Sequence, residues 1–398
     1  MKIAIITASS RPIPATSGGA TQTMMTHLIN VNEEKCQHTF SIFSYYERKA
    51  EEESKKYRHT NFYYYKPNAK WDYVYSLFFR FLRKVTNEQI YVRCLFVKYC
   101  ANIISNNNFD AVVLEGNCFW IQQLRTLIKN KIILHMHIDR LNKELKSANK
   151  MIDAADGLFA ISEFCKHRMA EVDSSCSKKV FVVKNTIDTK TFTFRGNGIK
   201  QMIRSKFGVK PKQKVISYCG RIDQTKGVLE LVYAVKLLDD ANLHLTIIGS
   251  SVYQGGKISK YVEKVEHEAR TLRGGVSFTG YISQEELPNY ISASDVAIVP
   301  SLCLEAAGNV TIEALSCGVP VIASSQGGIP EYADQRACRL IKADDDFVEN
   351  LAKQIQTIVY DDELYSSLKN NTRDVALQYD KYNYYINFCN AVEKVLDL

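Results

Sequence analysis

Apolar runs of four to six residues alternate along the chain with longer amphipathic stretches. This is the pattern of a parallel sheet buried on both faces, its strands joined by crossover helices. In the first half it predicts strands at Lys2–Thr7, Thr39–Phe43, Ala111–Leu114, Lys131–His135, Gly157–Ala160 and Val180–Val183. A polar stretch over residues 196–213 interrupts the pattern and reads as a linker. Strands then resume at Val215–Cys219, Leu243–Ile248, Val276–Thr279, Val296–Val299, Val319–Ala323 and Arg339–Ile341. The fold class is α/β, with two Rossmann-like doubly wound parallel sheets facing a cleft at the carboxyl ends of their strands, where such sheets bind ligands. The expected domains are 1–195 and 196–378, followed by a helix at 379–398. That helix carries Tyr384, Tyr385, Phe388, Val392 and Val395 at helical spacing and is expected to pack across the domain pair.

Composition narrows the class. With 398 residues, 46% hydrophobic and 24% charged, the chain can bury a sizeable core, which excludes disordered, collagenous and small disulfide-scaffold proteins. The apolar run near Met1 is too short for a secretion signal, and no stretch approaches the roughly 18 apolar residues of a membrane span. Eleven scattered cysteines with no C-x-x-C pair read as reduced thiols, so a cytoplasmic location is expected. The net charge of +8 is uneven, because residues 1–195 hold 29 Lys+Arg against 18 Asp+Glu.

The densest chemistry lies in SLCLEAAGNVTIEALSCGVP, Ser301 to Pro320. Here the strand ending at Val299 runs into a loop and then a helix expected to start near Gly308 or Asn309 and end at Cys317, with Gly318 just beyond it. Glu305 would sit on the loop and Glu313 about one turn into the helix, so both carboxylates can address one polyhydroxylated ligand. Between them, the unpaired amides of Asn309, Val310 and Thr311 and the positive helix end suit a diphosphate. Together these groups describe a nucleotide-sugar site; the plainer alternative is two surface acids flanking a buried helix. A second cluster, SYCGRIDQTKGV, places Gly220 and Arg221 directly after a strand and Lys226 before Gly227. Arg221 could grip a pyrophosphate through two nitrogens and Lys226 act as a point charge; the alternative is a turn with solvated cations.

These segments, with SGG at Ser17 to Gly19, VSFTGYISQEELPNYISASDVAIVPS, the E-x7-E pair and GGIPE, resemble the retaining glycosyltransferases of family four, which have the two-domain GT-B fold. The second half matches specifically and the first in outline, with KNTIDTKTF carrying Thr186 where the family usually has glycine. The resemblance implies that Arg221 and Lys226 stabilise the donor diphosphate, that Glu313 binds the ribose hydroxyls, and that Glu305 contacts the donor sugar. It implies backbone contacts from Gly308, Asn309, Val310 and Thr311, with Gly220 at the strand end and Tyr281 beside the base. Gly18 and Gly19 match the glycine-rich loop that approaches phosphates or acceptor, although two adjacent glycines also make a simple turn.

In LHMHID, His135 and His137 share one face of a strand. The family's histidine at this point faces the donor sugar, and His137, nearer the strand end, is the choice, with His135 second. H-x-H followed by Asp139 also has the look of a metal site. No metal is expected, because the related enzymes use none and Arg221 with Lys226 could neutralise a diphosphate; no cofactor is required beyond a nucleotide-sugar co-substrate, a UDP-sugar by expectation.

The activity implied is transfer of a sugar, with retained configuration, to a growing glycan or lipid-linked oligosaccharide in the assembly of a bacterial capsule or lipopolysaccharide. The alternatives are a non-catalytic binding subunit and a nucleotide-sugar epimerase of the same fold. The segment Asn61 to Lys84 combines five tyrosines, four phenylalanines, one tryptophan and five Lys/Arg. It reads either as a surface for the cytoplasmic face of an anionic membrane or as an ordinary helix that buries Val74, Leu77, Phe78, Phe81 and Leu82. Nucleic acid is not an expected partner, since no recognition motif accompanies the charge.

Overall fold

A computed structural model describes residues 1–7, 11–16, 19–86, 93–250 and 259–398. Two compact units emerge, one of Met1–Thr186 with Lys381–Leu398 and one of Ile187–Asp380.

The first unit is a seven-stranded sheet of β1 (Lys2–Ile6), β2 (Thr39–Tyr45), β3 (Thr60–Tyr65), β4 (Ala111–Glu115), β5 (Lys131–Met136), β6 (Gly157–Ala160) and β7 (Val180–Val182). Its order is β3-β2-β1-β4-β5-β6-β7, and every adjacent pair is parallel. The central strands are aliphatic because helices cover both faces; Ile3, Ile5, Val113 and Ile133 are fully buried. Strand β3 has no counterpart in the expected set. It reads Thr-Asn-Phe-Tyr-Tyr-Tyr, an edge strand of half-buried aromatics with none of the aliphatic character that marks the others.

The second unit holds β8 (Lys214–Cys219), β9 (Leu243–Ile248), β10 (Val276–Phe278), β11 (Val296–Val299), β12 (Val321–Ser324) and β13 (Cys338–Ile341). Their order is β10-β9-β8-β11-β12-β13, again wholly parallel. In both sheets the strand order reverses beside the first strand, between β1 and β4 and between β8 and β11. Chains leaving the carboxyl ends at such a point diverge and open a crevice.

The break expected at 195/196 falls at 186/187, so residues 187–195 count with the second unit. The stretch expected as a linker contains the helix Gly196–Lys206, which belongs to the second unit. Lys200 and Arg204, one turn apart, both reach the Asp295 carboxylate, at 2.8 and 2.6 Å, and Asp295 also accepts the Val215 amide at 2.8 Å. Burial would raise Asp295, but the two cations hold it below its usual range. Polar composition here encodes an ion-paired helix face. The C-terminal helix, Lys381–Leu396, counts with the first unit. All five of its predicted apolar positions are buried, Tyr385 donates to Asn32 at 2.9 Å, and Val395 packs so tightly on Gly157 that a Cβ there would lie 2.3 Å from it.

Candidate functional site

In the second unit the reversal between β8 and β11 sets two loops side by side. The β8 loop leaves through Gly220, at φ +150°, and turns through Gln224–Lys226, where the Asp223 side chain accepts the Thr225 amide. Gly227 follows at φ +66°, and a Cβ on it would lie 1.9 Å from the Pro300 carbonyl oxygen. The β11 loop closes on the same turn, with Leu302 and Cys303 donating to the Thr225 carbonyl at 2.9 and 3.2 Å. One glycine-permitted contact and two backbone hydrogen bonds thus bring residues nearly eighty positions apart together: Lys226 is ion-paired with Glu305.

Glu305 is held from three sides. Ser301 donates to its Oε1 at 2.8 Å, the same oxygen that Lys226 engages. Gly328 donates to its carbonyl at 2.7 Å, and Gly327, at φ +59°, lies so close that a Cβ would sit 2.3 Å from that carbonyl oxygen. The glycines of GGIPE therefore fix the backbone of the first glutamate. Arg221 stands nearby with its side chain 66% exposed and only a 3.6 Å contact to Asp223, a cation with capacity to spare.

Glu313 lies in the helix Asn309–Ser316, which ends as expected: Gly318 at φ +77° lets Val319 donate to Ala314 and Gly318 to Leu315, both at 3.0 Å. Part of the Glu313 surface stays open, but protein crowds the carboxyl, no hydrogen bond or ion pair from the described residues reaches it, and burial pushes it up to about 7. A carboxyl crowded by protein, with no partner among the described residues, is costly to ionise in the free protein and suits a ligand that brings hydroxyl donors.

The helix start corrects one expectation. Gly308 is the N-cap, but the Thr311 amide already donates to the Gly308 carbonyl at 2.9 Å, because the first turn tightens. Thr311 is fully buried, so its amide is not free for an anion. Val310 has no partner for its amide among the described residues; Asn309 lies one residue earlier on the same turn. Tyr281 follows Gly280 after β10 and is 70% exposed. Gly280 accepts from Gly249 at 3.1 Å, and a Cβ on Gly249 would meet the Gly220 carbonyl oxygen at 2.0 Å, so these loops also gather around Gly220.

In the first unit, Gly19 caps the helix Ala20–Lys35 at φ +109°, while Gly18 lies outside the described residues. Glu115 and His135 are paired across the ladder between β4 and β5. His135 Nδ1 lies 3.2 Å from Glu115 Oε2, His137 Nε2 lies 2.6 Å from the same oxygen, and the two rings are 4.2 Å apart. Burial alone would raise the Glu115 carboxyl, but the two imidazoles beside it hold it at about 2. An ionised carboxylate only accepts, so the ring nitrogens facing it carry the protons. His135 Nε2 and His137 Nδ1 are buried without partners. Burial and the neighbouring His135 press His137 below its usual range despite Glu115. Glu115 was not singled out in the sequence, although an acid closing a buried aliphatic strand, AVVLE, is the signal that marks it.

Among the described residues, Glu115, His135 and His137 form the group whose ligand atoms, within 4.8 Å of one another, could hold a metal ion. The spacing fits hydrogen bonding better. Ligand atoms on a tetrahedral zinc stand about 3.3 Å apart, from bonds of about 2.0–2.1 Å, against 2.6 Å between His137 and Glu115. The outer ring nitrogens also lack the acceptors that steady metal-bound imidazoles.

Residues 199–375 match the model of the family described as glycosyl transferases group 1. The chain is 25% identical over 253 residues to the putative glycosyltransferase YtcC of Bacillus subtilis, covering 61% of this chain and 62% of that one. It is 26% identical over 233 residues to the lipopolysaccharide 1,2-N-acetylglucosaminetransferase of Salmonella typhimurium, covering 58% of each. These alignments span less than two thirds of either relative. The crystal structure of Anabaena Alr3699/HepE in complex with UDP matches with a TM-score of 0.73 at 16% identity, over 99% of this chain and 100% of that one. Residues 199–375 of the second unit are thus similar to the glycosyl transferases group 1, and the chain as a whole has the two-domain GT-B fold.

Proposed function

We propose that the protein transfers a sugar, with retained configuration, from a nucleoside-diphosphate donor to a hydroxyl of a growing glycan or lipid-linked oligosaccharide. The observation that carries this reading is the grouping at one strand-order reversal of two cations, Arg221 and Lys226, with two carboxylates of different character. Cations suit a diphosphate; Glu305, clamped by Ser301 and Lys226, suits a sugar hydroxyl; Glu313, without a partner among the described residues, suits the ribose diol. Gly220 and Gly308 supply backbone without side chains, with Asn309 and Val310 at the helix start, and the exposed Tyr281 is assigned to the base. Uridine diphosphate is the preferred nucleotide, since it is bound in the Anabaena structure. A role in cell-surface polysaccharide assembly fits the Salmonella relative.

Chemically, the anomeric carbon loses the diphosphate through a transition state that gains negative charge on the leaving oxygen. Arg221 stabilises that charge, and Lys226 does so when the ligand draws it from Glu305. With Glu305 oriented by Ser301 and ion-paired with Lys226, its role is to orient the sugar. The acceptor then attacks from the leaving-group face and passes its proton to the departing phosphate. The first unit is assigned the acceptor and the glycine loop at Gly19. His137, whose Nδ1 can only accept while its Nε2 proton is held by Glu115, is suited to a sugar hydroxyl. No metal enters these steps.

The test is nucleoside-diphosphate release from a panel of nucleotide-sugars, with and without a lipid-linked glycan extract. Wild type should be selective for one donor and stimulated by acceptor, and Glu305→Ala and Arg221→Ala should each lose at least about a hundredfold, the scale of one lost transition-state contact. Proton NMR of the product should show the donor's anomeric configuration. Absence of both donor binding and turnover across the panel would overturn the reading.

A further inference from the structure

The helix Ala69–Thr86 turns its apolar face outward. At 100° per residue, Trp71, Val74, Phe78, Phe81 and Val85 fall within an arc of about 80°. Trp71 is 63% exposed, Phe78 59%, Phe81 64% and Val85 66%. The opposite side is half-buried and mixed, with Tyr75, Ser76 and Phe79 beside Asp72, which accepts from the Tyr65 hydroxyl of β3 at 3.0 Å, and none of the described side chains of the helix is fully buried. A surface helix of a free-standing protein does the reverse, so the alternative that this segment is an ordinary core-facing helix does not hold for Val74, Leu77, Phe78 and Phe81, all of them exposed.

Charge identifies what covers this face. Lys70, Lys84 and Arg80 lie along one edge of the apolar arc, interleaved with Leu77 and Tyr73, and all three are exposed. None forms an ion pair with a carboxylate among the described residues, and Asp72, the single acid of the helix, is on the opposite side. A second copy of the chain is a poor partner, because this face would offer the cations no acid. A bilayer with anionic headgroups satisfies both halves: the aromatic arc sinks to the acyl boundary while the cations stay at phosphate level.

We propose that the helix Ala69–Thr86 lies in the plane of an anionic membrane surface and holds the first unit there. The proposal deepens the reading of a lipid-linked acceptor by locating the membrane contact, yet its geometry and its test do not depend on sugar transfer.

The experiment is flotation of the purified chain with phosphatidylcholine vesicles, with and without phosphatidylglycerol, in low and high salt. A Trp120→Phe variant leaves Trp71 as the remaining tryptophan, so its emission should shift to the blue when anionic vesicles are added. Binding should require phosphatidylglycerol and weaken with salt. Phe78→Ser with Phe81→Ser should abolish it, and Lys70→Glu, Arg80→Glu and Lys84→Glu together should weaken it at least roughly a hundredfold, at about fivefold for each lost cation near such a surface. These side chains are exposed, so the variants should keep wild-type circular dichroism and wild-type nucleotide release with a soluble acceptor. Three results would overturn the proposal: no binding to phosphatidylglycerol vesicles at low salt, binding unaffected by the double serine variant, or a solution dimer that the same variant dissociates. Vesicle binding without donor turnover would instead leave this surface standing and remove the transferase reading.

Discussion

Replacing Glu313 by glutamine should stabilise the free protein and weaken its hold on the donor. Burial raises the Glu313 carboxyl from 4.5 to about 7, so between those values the folded chain keeps a proton that the unfolded chain has lost, and stability falls as pH rises. The cost of ionisation is about 1 kcal/mol at pH 5 and about 3 kcal/mol at pH 8, from the shift at 1.36 kcal/mol per unit. Glutamine lacks the charge, and its own desolvation does not vary with pH. Urea unfolding of the second unit, compared between wild type and Glu313→Gln, should therefore show a relative gain about 2–3 kcal/mol larger at pH 8 than at pH 5. Donor affinity should run the other way: ionised Glu313 accepts from two ribose hydroxyls, so wild-type KM for donor should rise below about pH 7, while the variant has a high, flat KM. A stability difference equal at the two pH values would refute the argument, because it would mean that the carboxyl is solvated or paired.

Three further outcomes test the remaining geometry. Glu115, held at about 2 by its imidazole neighbours, contributes stability that is present above 4.5 and is lost as pH falls toward 2; unfolding should show wild type losing roughly 2 kcal/mol more than Glu115→Gln between pH 5 and 3. Gly227→Ala puts a Cβ 1.9 Å from the Pro300 oxygen at φ +66°, so it should cost at least about 2 kcal/mol, or about 5 °C in Tm, and reduce turnover by parting the loops that carry Lys226 and Glu305. Lys226→Met leaves Glu305 without its counter-charge; donor turnover should fall ten- to a hundredfold, and steady-state kinetics with unchanged kcat and KM would remove Lys226 from the site.

Periodicity and turn chemistry determined much by themselves. Twelve of the thirteen strands follow from short aliphatic runs, since a strand buried on both faces admits little else. The bounds of the helix carrying Glu313 follow from Gly308 and Gly318, because helix ends need backbone freedom at known offsets. The edge strand β3 escaped for lack of an aliphatic run, and the helix Gly196–Lys206 because its cations answer an acid, Asp295, nearly a hundred residues away. Such pairings exist once the sheet order is set. Only the tertiary structure decided that Lys226 meets Glu305, that Glu313 has no partner among the described residues, that Thr311 spends its amide on its own turn, and that Glu115 joins His135 and His137. It also decided which face of the Ala69–Thr86 helix looks outward. A repeat of 3.6 residues reveals that a helix has two faces; which of them meets the sheet depends on what the neighbouring strand presents, and here β3 presents the Tyr65 hydroxyl to Asp72.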